Sequence, residues 1–380
     1  ALSLPSKIRI KLNMKDFIYR NDTKLFFRND IRETIAELTK GQTVMLVYGG
    51  GSIKRNGCYD DIAEALKKAG TEMVEYGGSS REMEHIEMGI VKAITERVTM
   101  IIGVGGASVM DSAKLIALGV YQEDKLWNYV KGESPYGLKH LPLILIPTYP
   151  SSGSENGLGA VAVDSRTGDF GTAYGIGADY AILCPKYSLT LSPEMTTYTG
   201  LVTLVQLSAS VLGDRNPMSY DAGISYIRNV LRATETLQDS PQDFDARGII
   251  MMGASLSTSS RLGLGKEEPF AYDIYELEFL PERLFGSSYR RSLTSIFPRF
   301  IEIMGRHHQE DISRFLRDAF GYDGSIEESA QKLVAKFANL GIPMYYEAQV
   351  TREQVDAIPR QTELRDDEVY EMICKMTHNQ

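Results

Sequence analysis

The chain has 380 residues, 43% hydrophobic and 24% charged, which suits a globular protein long enough for two domains. Lys and Arg number 41 against 50 Asp and Glu, a net charge of −9 that argues against nucleic acid as the main partner. No apolar run approaches the ~20 residues of a membrane-spanning helix, so no membrane partner is expected either.

Residues 1–13 alternate basic and apolar side chains (Lys7-Ile-Arg-Ile-Lys11) without a signal-peptide core. The expectation is a native start at Met14, with the preceding residues a non-native or extended leader. From about residue 25 to 185, short β-rich runs alternate with amphipathic stretches. Strands are predicted at Lys24–Phe27, Thr43–Tyr48, Glu72–Tyr76, Thr99–Val104, Leu141–Pro147 and Tyr180–Leu183. Helices fall between them at Ile53–Lys68, Glu82–Glu96 and Ser108–Leu118. That alternation implies βαβ units and a parallel sheet. Leu158–Tyr174, with Asp164-Ser-Arg-Thr-Gly168 at its middle, reads as an inserted antiparallel hairpin. After about 190 helical periodicity dominates, with helices expected at Tyr198–Leu212, Tyr220–Gln238, Asp243–Ser259, Arg290–Met304, Gln309–Phe320 and Ile326–Leu340. The organisation is therefore an α/β nucleotide-type domain over 14–185 and an all-helical domain over 186–380, with a cleft between them. Three widely spaced cysteines (Cys58, Cys184, Cys374) without metal-ligand spacing point to a reducing, cytoplasmic setting.

Three loops carry the chemical signal. Gly49-Gly50-Gly51-Ser52 and Gly105-Gly106-Ala107-Ser108 each follow an apolar strand and open a helix. Consecutive glycines there let backbone N–H groups approach an anion. Neither is a GxGxxG fingerprint or a Walker loop, and each alone is also compatible with a tight turn; two at successive βα junctions favour nucleotide binding. The third, Pro147-Thr148-Tyr-Pro-Ser151-Ser152-Gly153-Ser154, places dense hydroxyls after a strand, suited to ribose or amide recognition or to a helix cap.

In this order and spacing the three loops resemble the iron-type (group III) alcohol dehydrogenases, with most similarity to their butanol and broad-aldehyde NADPH-dependent branch. Asn21-Asp-Thr-Lys-Leu-Phe-Phe27 resembles that family's opening strand, Val47–Gly57 its first nucleotide loop, and Gly105–Asp111 its second, with Ala107 in place of a third glycine. Leu340-Gly-Ile-Pro343 fits its C-terminal region. The resemblance implies a Rossmann-like dinucleotide domain followed by a helical domain, the dehydroquinate synthase-like architecture. It implies a dinucleotide across Gly50, Gly51, Ser52, Gly105, Gly106, Ser108, Asp111, Thr148 and Ser152, a small alcohol or aldehyde substrate, and often a homodimer. With Ser52 and Lys54 in the first loop rather than an acid, NADP(H) is expected over NAD(H).

The resemblance also implies a metal, Fe or Zn, held by an Asp and a His four residues apart on a helix plus two later His. Those positions fall on Thr203, Leu207, Tyr275 (with a small gap, Tyr272 or Ala271) and Tyr289. The five histidines are His85, His140, His307, His308 and His378, so none lies between 141 and 306. His307 and His308 are adjacent and diverge on a helix, which suits a solvated surface. No metal is expected. A tyrosine can serve as a non-metal acid, and Tyr289 beside Arg290 and Arg291 is the candidate, since cations lower a phenol's pKa. Three readings follow: a metal-free nucleotide-binding member with lost or altered activity, a metal-independent reductase using Tyr289, or a non-enzymatic scaffold.

Overall fold

The structure is a computed structural model describing residues 14–266, 272 and 274–377; the expected leader at 1–13 and Ala271 lie outside them. Among the described residues eight strands form: β1 (Lys24–Phe27), β2 (Thr43–Tyr48), β3 (Glu72–Tyr76), β4 (Met100–Gly105), β5 (Leu143–Pro147), β6 (Gly159–Asp164), β7 (Asp169–Tyr174) and β8 (Tyr180–Leu183). Six make one parallel sheet in the order β1-β8-β5-β4-β2-β3. β6 and β7 pair separately as the expected antiparallel hairpin.

The sheet is covered on both faces, which is why its central strands are continuous apolar runs rather than alternating ones. Met45 and Val47 of β2 turn to one face, where they meet α4 (Met83–Thr95) and α5 (Ala107–Gln122) through Ile86, Ile90 and Ile116. Val44 and Leu46 turn to the other, against Ile35 of α1 (Arg32–Thr39) and Ile62 and Leu66 of α3 (Cys58–Ala69). The single helix expected over Ile53–Lys68 is two, α2 (Ser52–Arg55) and α3. Gly57 takes φ +81 between them, and the Asn56 side chain caps the restart by accepting from the Cys58 N–H at 3.0 Å. A short α6 (Leu126–Val130) closes the α/β region.

The helical region follows a 3₁₀ turn at Pro185–Ser188. It contains α7 (Pro193–Val211), α8 (Pro217–Asp239), α9 (Phe244–Ser257), α10 (Ile274–Leu277), α11 (Leu280–Phe285), α12 (Tyr289–His307), α13 (Gln309–Phe320), α14 (Ile326–Asn339), α15 (Arg352–Asp356) and α16 (Asp366–Cys374). From Thr196 to Val211 every residue of α7 is buried, because α8, α9 and α12 surround it. A helix in that position must be apolar all round or settle its own hydroxyls. Ser208 does the latter, donating to the Leu204 carbonyl at 2.8 Å. The two regions are joined at a buried guanidinium. Arg247 of α9 donates to the Ser188 carbonyl at 2.5 Å, to the Pro241 carbonyl at 2.6 Å and to Thr196 Oγ1 at 3.3 Å. Among the described residues no helix is long and apolar enough to cross a membrane.

Candidate dinucleotide and substrate cleft

The sheet order creates the site. From β2 the chain moves outward to β3, then crosses back so that β4 and β5 lie on the other side of β2. A parallel sheet with this reversal opens a crevice at the carboxyl ends of the two strands flanking it, where α/β folds bind ligands. The loops after β2, β4 and β5 all leave from that edge. Thr148 donates its N–H to the Gly105 carbonyl at 3.0 Å, binding the third loop to the second. A Cβ on Gly49 would sit 3.2 Å from Val109, so the first loop lies directly over the start of α5.

The expected dinucleotide residues are thus brought together. Gly50, Gly51 and Ser52 are exposed at the rim, Gly106, Ser108 and Ser152 are half-buried, and Gly105 and Thr148 form the floor. No neighbour lies within 4 Å of a Cβ built on Gly50, and the nearest atom to one on Gly106 is Tyr149 Cβ at 3.8 Å. Backbone is therefore presented to an open crevice, as a pyrophosphate requires. Asp111, the remaining expected residue, lies at the base of this group. It is 4% exposed, accepts from Ser154 Oγ at 2.6 Å and stands 3.9 Å from Arg81. It supports the loop from beneath.

Under that loop lies a buried ion network that no motif in the sequence announces. Lys114 donates to Ser154 Oγ at 3.3 Å, to the Gly157 carbonyl at 2.9 Å and to the Gly159 carbonyl at 2.8 Å. Burial pulls its pKa down to about 8, with Asp111 and Glu155 opposing. Glu155 is 1% exposed, and burial pushes its carboxyl up to about 7. A carboxyl raised on folding stabilises the folded state below its unfolded pKa and loses that contribution as pH climbs through the folded value. Between about pH 5 and 7.5, the melting temperature of the native chain should therefore fall relative to that of Glu155→Gln. Parallel curves across that range would refute the assignment.

The third loop meets the helical region. Thr203 Oγ1 donates to the Ser151 carbonyl at 3.5 Å, and Thr258 Oγ1 to the Gly153 carbonyl at 2.7 Å. Thr203 and Leu207, both fully buried, face α9 at Gly253. One helical turn beyond Thr203, the Gln206 side chain accepts from Ser257 Oγ at 3.4 Å and is one of the groups that act on the Tyr289 phenol, lowering its pKa against burial. Tyr289, at the start of α12, is 40% exposed. Its arginine neighbours do not activate it as an acid. Arg290 lies over the Tyr198 ring at 5.4 Å and Arg291 over Tyr346 at 4.1 Å, so neither is spent on Tyr289. Burial of the phenol, with Glu278 and Tyr275 beside it, instead holds it well above the usual tyrosine range. Tyr275 is raised for the same first cause, burial, and so is Glu278. Glu278 Oε2 is buried with no hydrogen-bond partner among the described residues. The four positions thus supply one hydroxyl already engaged, one alkyl group and two protonated phenols. Among the described residues no three His, Cys, Asp or Glu side chains converge as a metal site. His307 and His308 are paired elsewhere, with Glu368 at 2.8 Å and Glu363 at 2.7 Å.

Comparison with known proteins agrees with this architecture. The profile of iron-containing alcohol dehydrogenases matches residues 22–189, the α/β region with its three loops. The NADH-dependent butanol dehydrogenase A of Clostridium acetobutylicum is 28% identical over 270 residues, 68% of each chain. A probable NADH-dependent butanol dehydrogenase of Bacillus subtilis is 27% identical over 365 residues, 91% of this chain and 92% of its own. The crystal structure of an NADH-dependent butanol dehydrogenase A from Thermotoga maritima superposes with a TM-score of 0.86 at 24% identity, covering 96% of this chain and 99% of that one, and so shares the fold. The α/β region, residues 22–189, thus matches the iron-containing alcohol dehydrogenase family, and the chain as a whole shares the fold of solved members.

Proposed function

We propose that this chain is a nicotinamide dinucleotide-binding oxidoreductase-type protein that has lost the family's metal site, and with it most or all alcohol or aldehyde turnover. The donor set carries this reading. A divalent metal needs convergent anionic or imidazole donors. Thr203, Leu207, Tyr275 and Tyr289 do not fit one. A Lewis acid contributes several kcal/mol to polarising a carbonyl, so its loss lowers the rate on the order of 10³-fold. The crevice residues, by contrast, fit a dinucleotide: Gly50, Gly51, Gly105 and Gly106 give access to its phosphates, and Thr148 and Ser152 lie toward its reactive end. The group would supply or accept a hydride when bound.

The place of Tyr289 at the start of α12, beside Tyr275 and Glu278, favours a second reading, a metal-independent reductase. A phenol held protonated by burial can donate a hydrogen bond to a small carbonyl. Tyr289→Phe would then cut turnover at least tenfold.

The deciding experiment is titration of metal-analysed protein with NADH and NADPH by nicotinamide fluorescence, before and after dialysis against Fe²⁺ or Zn²⁺. Micromolar dinucleotide binding, substoichiometric metal and no gain in aldehyde reduction are expected. Stoichiometric metal with ordinary turnover would overturn the metal-free reading. Absence of affinity for either cofactor would instead favour a scaffold.

A further inference from the structure

The rim of the first glycine loop carries a charge arrangement that the loop sequence conceals. Glu75, next to last in β3, accepts from the Tyr48 hydroxyl at 2.7 Å and from the Tyr59 hydroxyl at 2.5 Å, one phenol on each carboxylate oxygen. These two donors hold the carboxyl below its ordinary range. Lys54 stands 3.8 Å from the same carboxylate and lies over the Tyr59 ring at 4.6 Å and the Tyr48 ring at 5.6 Å. The cation expected to meet a 2′-phosphate is therefore already engaged. Behind this cluster the Gly78 N–H donates to the Gly49 carbonyl at 2.9 Å and the Ser79 N–H to the Tyr48 carbonyl at 3.0 Å, so the loop after β3 is tied to the glycine loop. Tyr48 keeps its place because Gly77 has no side chain: a Cβ there would lie 2.8 Å from its ring and hydroxyl.

The orientation of a dinucleotide follows from the cleft. The substrate end lies by the loop after β5, where Ser151 and Gly153 touch the helical region. Phosphates belong over Gly105 and Gly106 in the middle, and the adenosine half then reaches the β2–β3 rim. Three strand spacings separate β3 from β5, about 14 Å in all, which is of the order of an extended dinucleotide. Glu75 also stands at the end of the strand following the glycine loop, the place from which an acid meets an adenosine ribose in dinucleotide folds.

We propose that Glu75, held by Tyr48 and Tyr59, is the specificity-determining residue at the ribose 2′ position and selects NAD(H) against NADP(H). This rests on the dinucleotide reading above. The carboxylate accepts a hydrogen bond from a free 2′-hydroxyl, whereas a 2′-phosphate brings like charge against it. Lys54 is a counter-ion to Glu75 and becomes a phosphate ligand only when that carboxylate is neutralised.

The test is a set of equilibrium titrations with NADH and NADPH, followed by nicotinamide fluorescence, on the native chain, Glu75→Gln, Lys54→Met and the double variant, each checked by its melting curve. The native chain should bind NADH at least about tenfold more tightly than NADPH. Glu75→Gln should tighten NADPH about tenfold while weakening NADH by a few-fold. Lys54→Met should change NADPH affinity by less than about threefold in the native background and remove the gain in the Glu75→Gln background. Equal affinities or an NADPH preference in the native chain, or an unchanged ratio in Glu75→Gln, overturns the assignment while leaving dinucleotide binding intact. Failure of every variant to bind either cofactor overturns the dinucleotide reading itself.

Discussion

Gly153→Ala should lower stability by about 4 kcal/mol or more, seen as a fall in melting temperature of roughly 8 °C or more. Gly153 sits at φ +65 in the loop after β5, where an added Cβ would stand 2.0 Å from the Ala254 carbonyl oxygen and 2.4 Å from Thr258 Oγ1. The first obstacle is helix backbone, which cannot rotate aside. The left-handed conformation adds about 1–2 kcal/mol for any residue with a Cβ. Relief requires the loop to lift from α9, breaking the Thr258–Gly153 hydrogen bond and displacing Ser151 from Thr203. Weakened dinucleotide binding should accompany the thermal loss. A variant with the native melting curve would show that the loop is not seated on α9 as described.

Lys114→Met should cost about 3–5 kcal/mol, measured as a drop in the urea midpoint at unchanged slope. Methionine preserves much of the volume, so the loss is electrostatic and not a cavity effect. Three acceptors on the loop lose their donor, and Asp111 and Glu155 lose a buried cation beside them. Because Lys114 also holds the Gly157 and Gly159 carbonyls, the hairpin entrance at β6 should loosen, with faster amide exchange there than elsewhere in the sheet. A variant within 1 kcal/mol of the native chain would refute this role.

Much of the fold is legible because strand burial writes itself as apolar runs. β1, β2, β3 and β8 fall where those runs begin and end, and the two glycine loops sit at the junctions they mark. Helix continuity was less legible: Asn56-Gly57 lies inside a good amphipathic pattern, and only the left-handed Gly57 with its Asn56 cap shows that the helix restarts. Short α10, α11, α15 and α16 offer too few turns for periodicity to register. In the site, the glycines and hydroxyls announce themselves by type and spacing. Glu75 does not, since an acid near the end of an edge strand reads as an ordinary solvated residue. Lys114 left a usable signal, a lone cation within the apolar run Ala113–Leu118. Gln206 left none, because its partner Ser257 is far away in sequence.

The sheet order has a consequence for how the chain is made. β1 has one neighbour, β8, and its register pairs Phe27 with Leu183, about 150 residues later. At ordinary translation rates that interval is roughly 8 to 30 s, during which the first strand emerges with no partner. β5 waits as well, its outer edge bare until the same late strand arrives. Premature release before Tyr180 would leave the apolar β5 as a bare edge and β1 without a neighbour, the kind of surface that recruits strands from other chains. Synthesis, more than the finished protein, is where this fold is most exposed to aggregation.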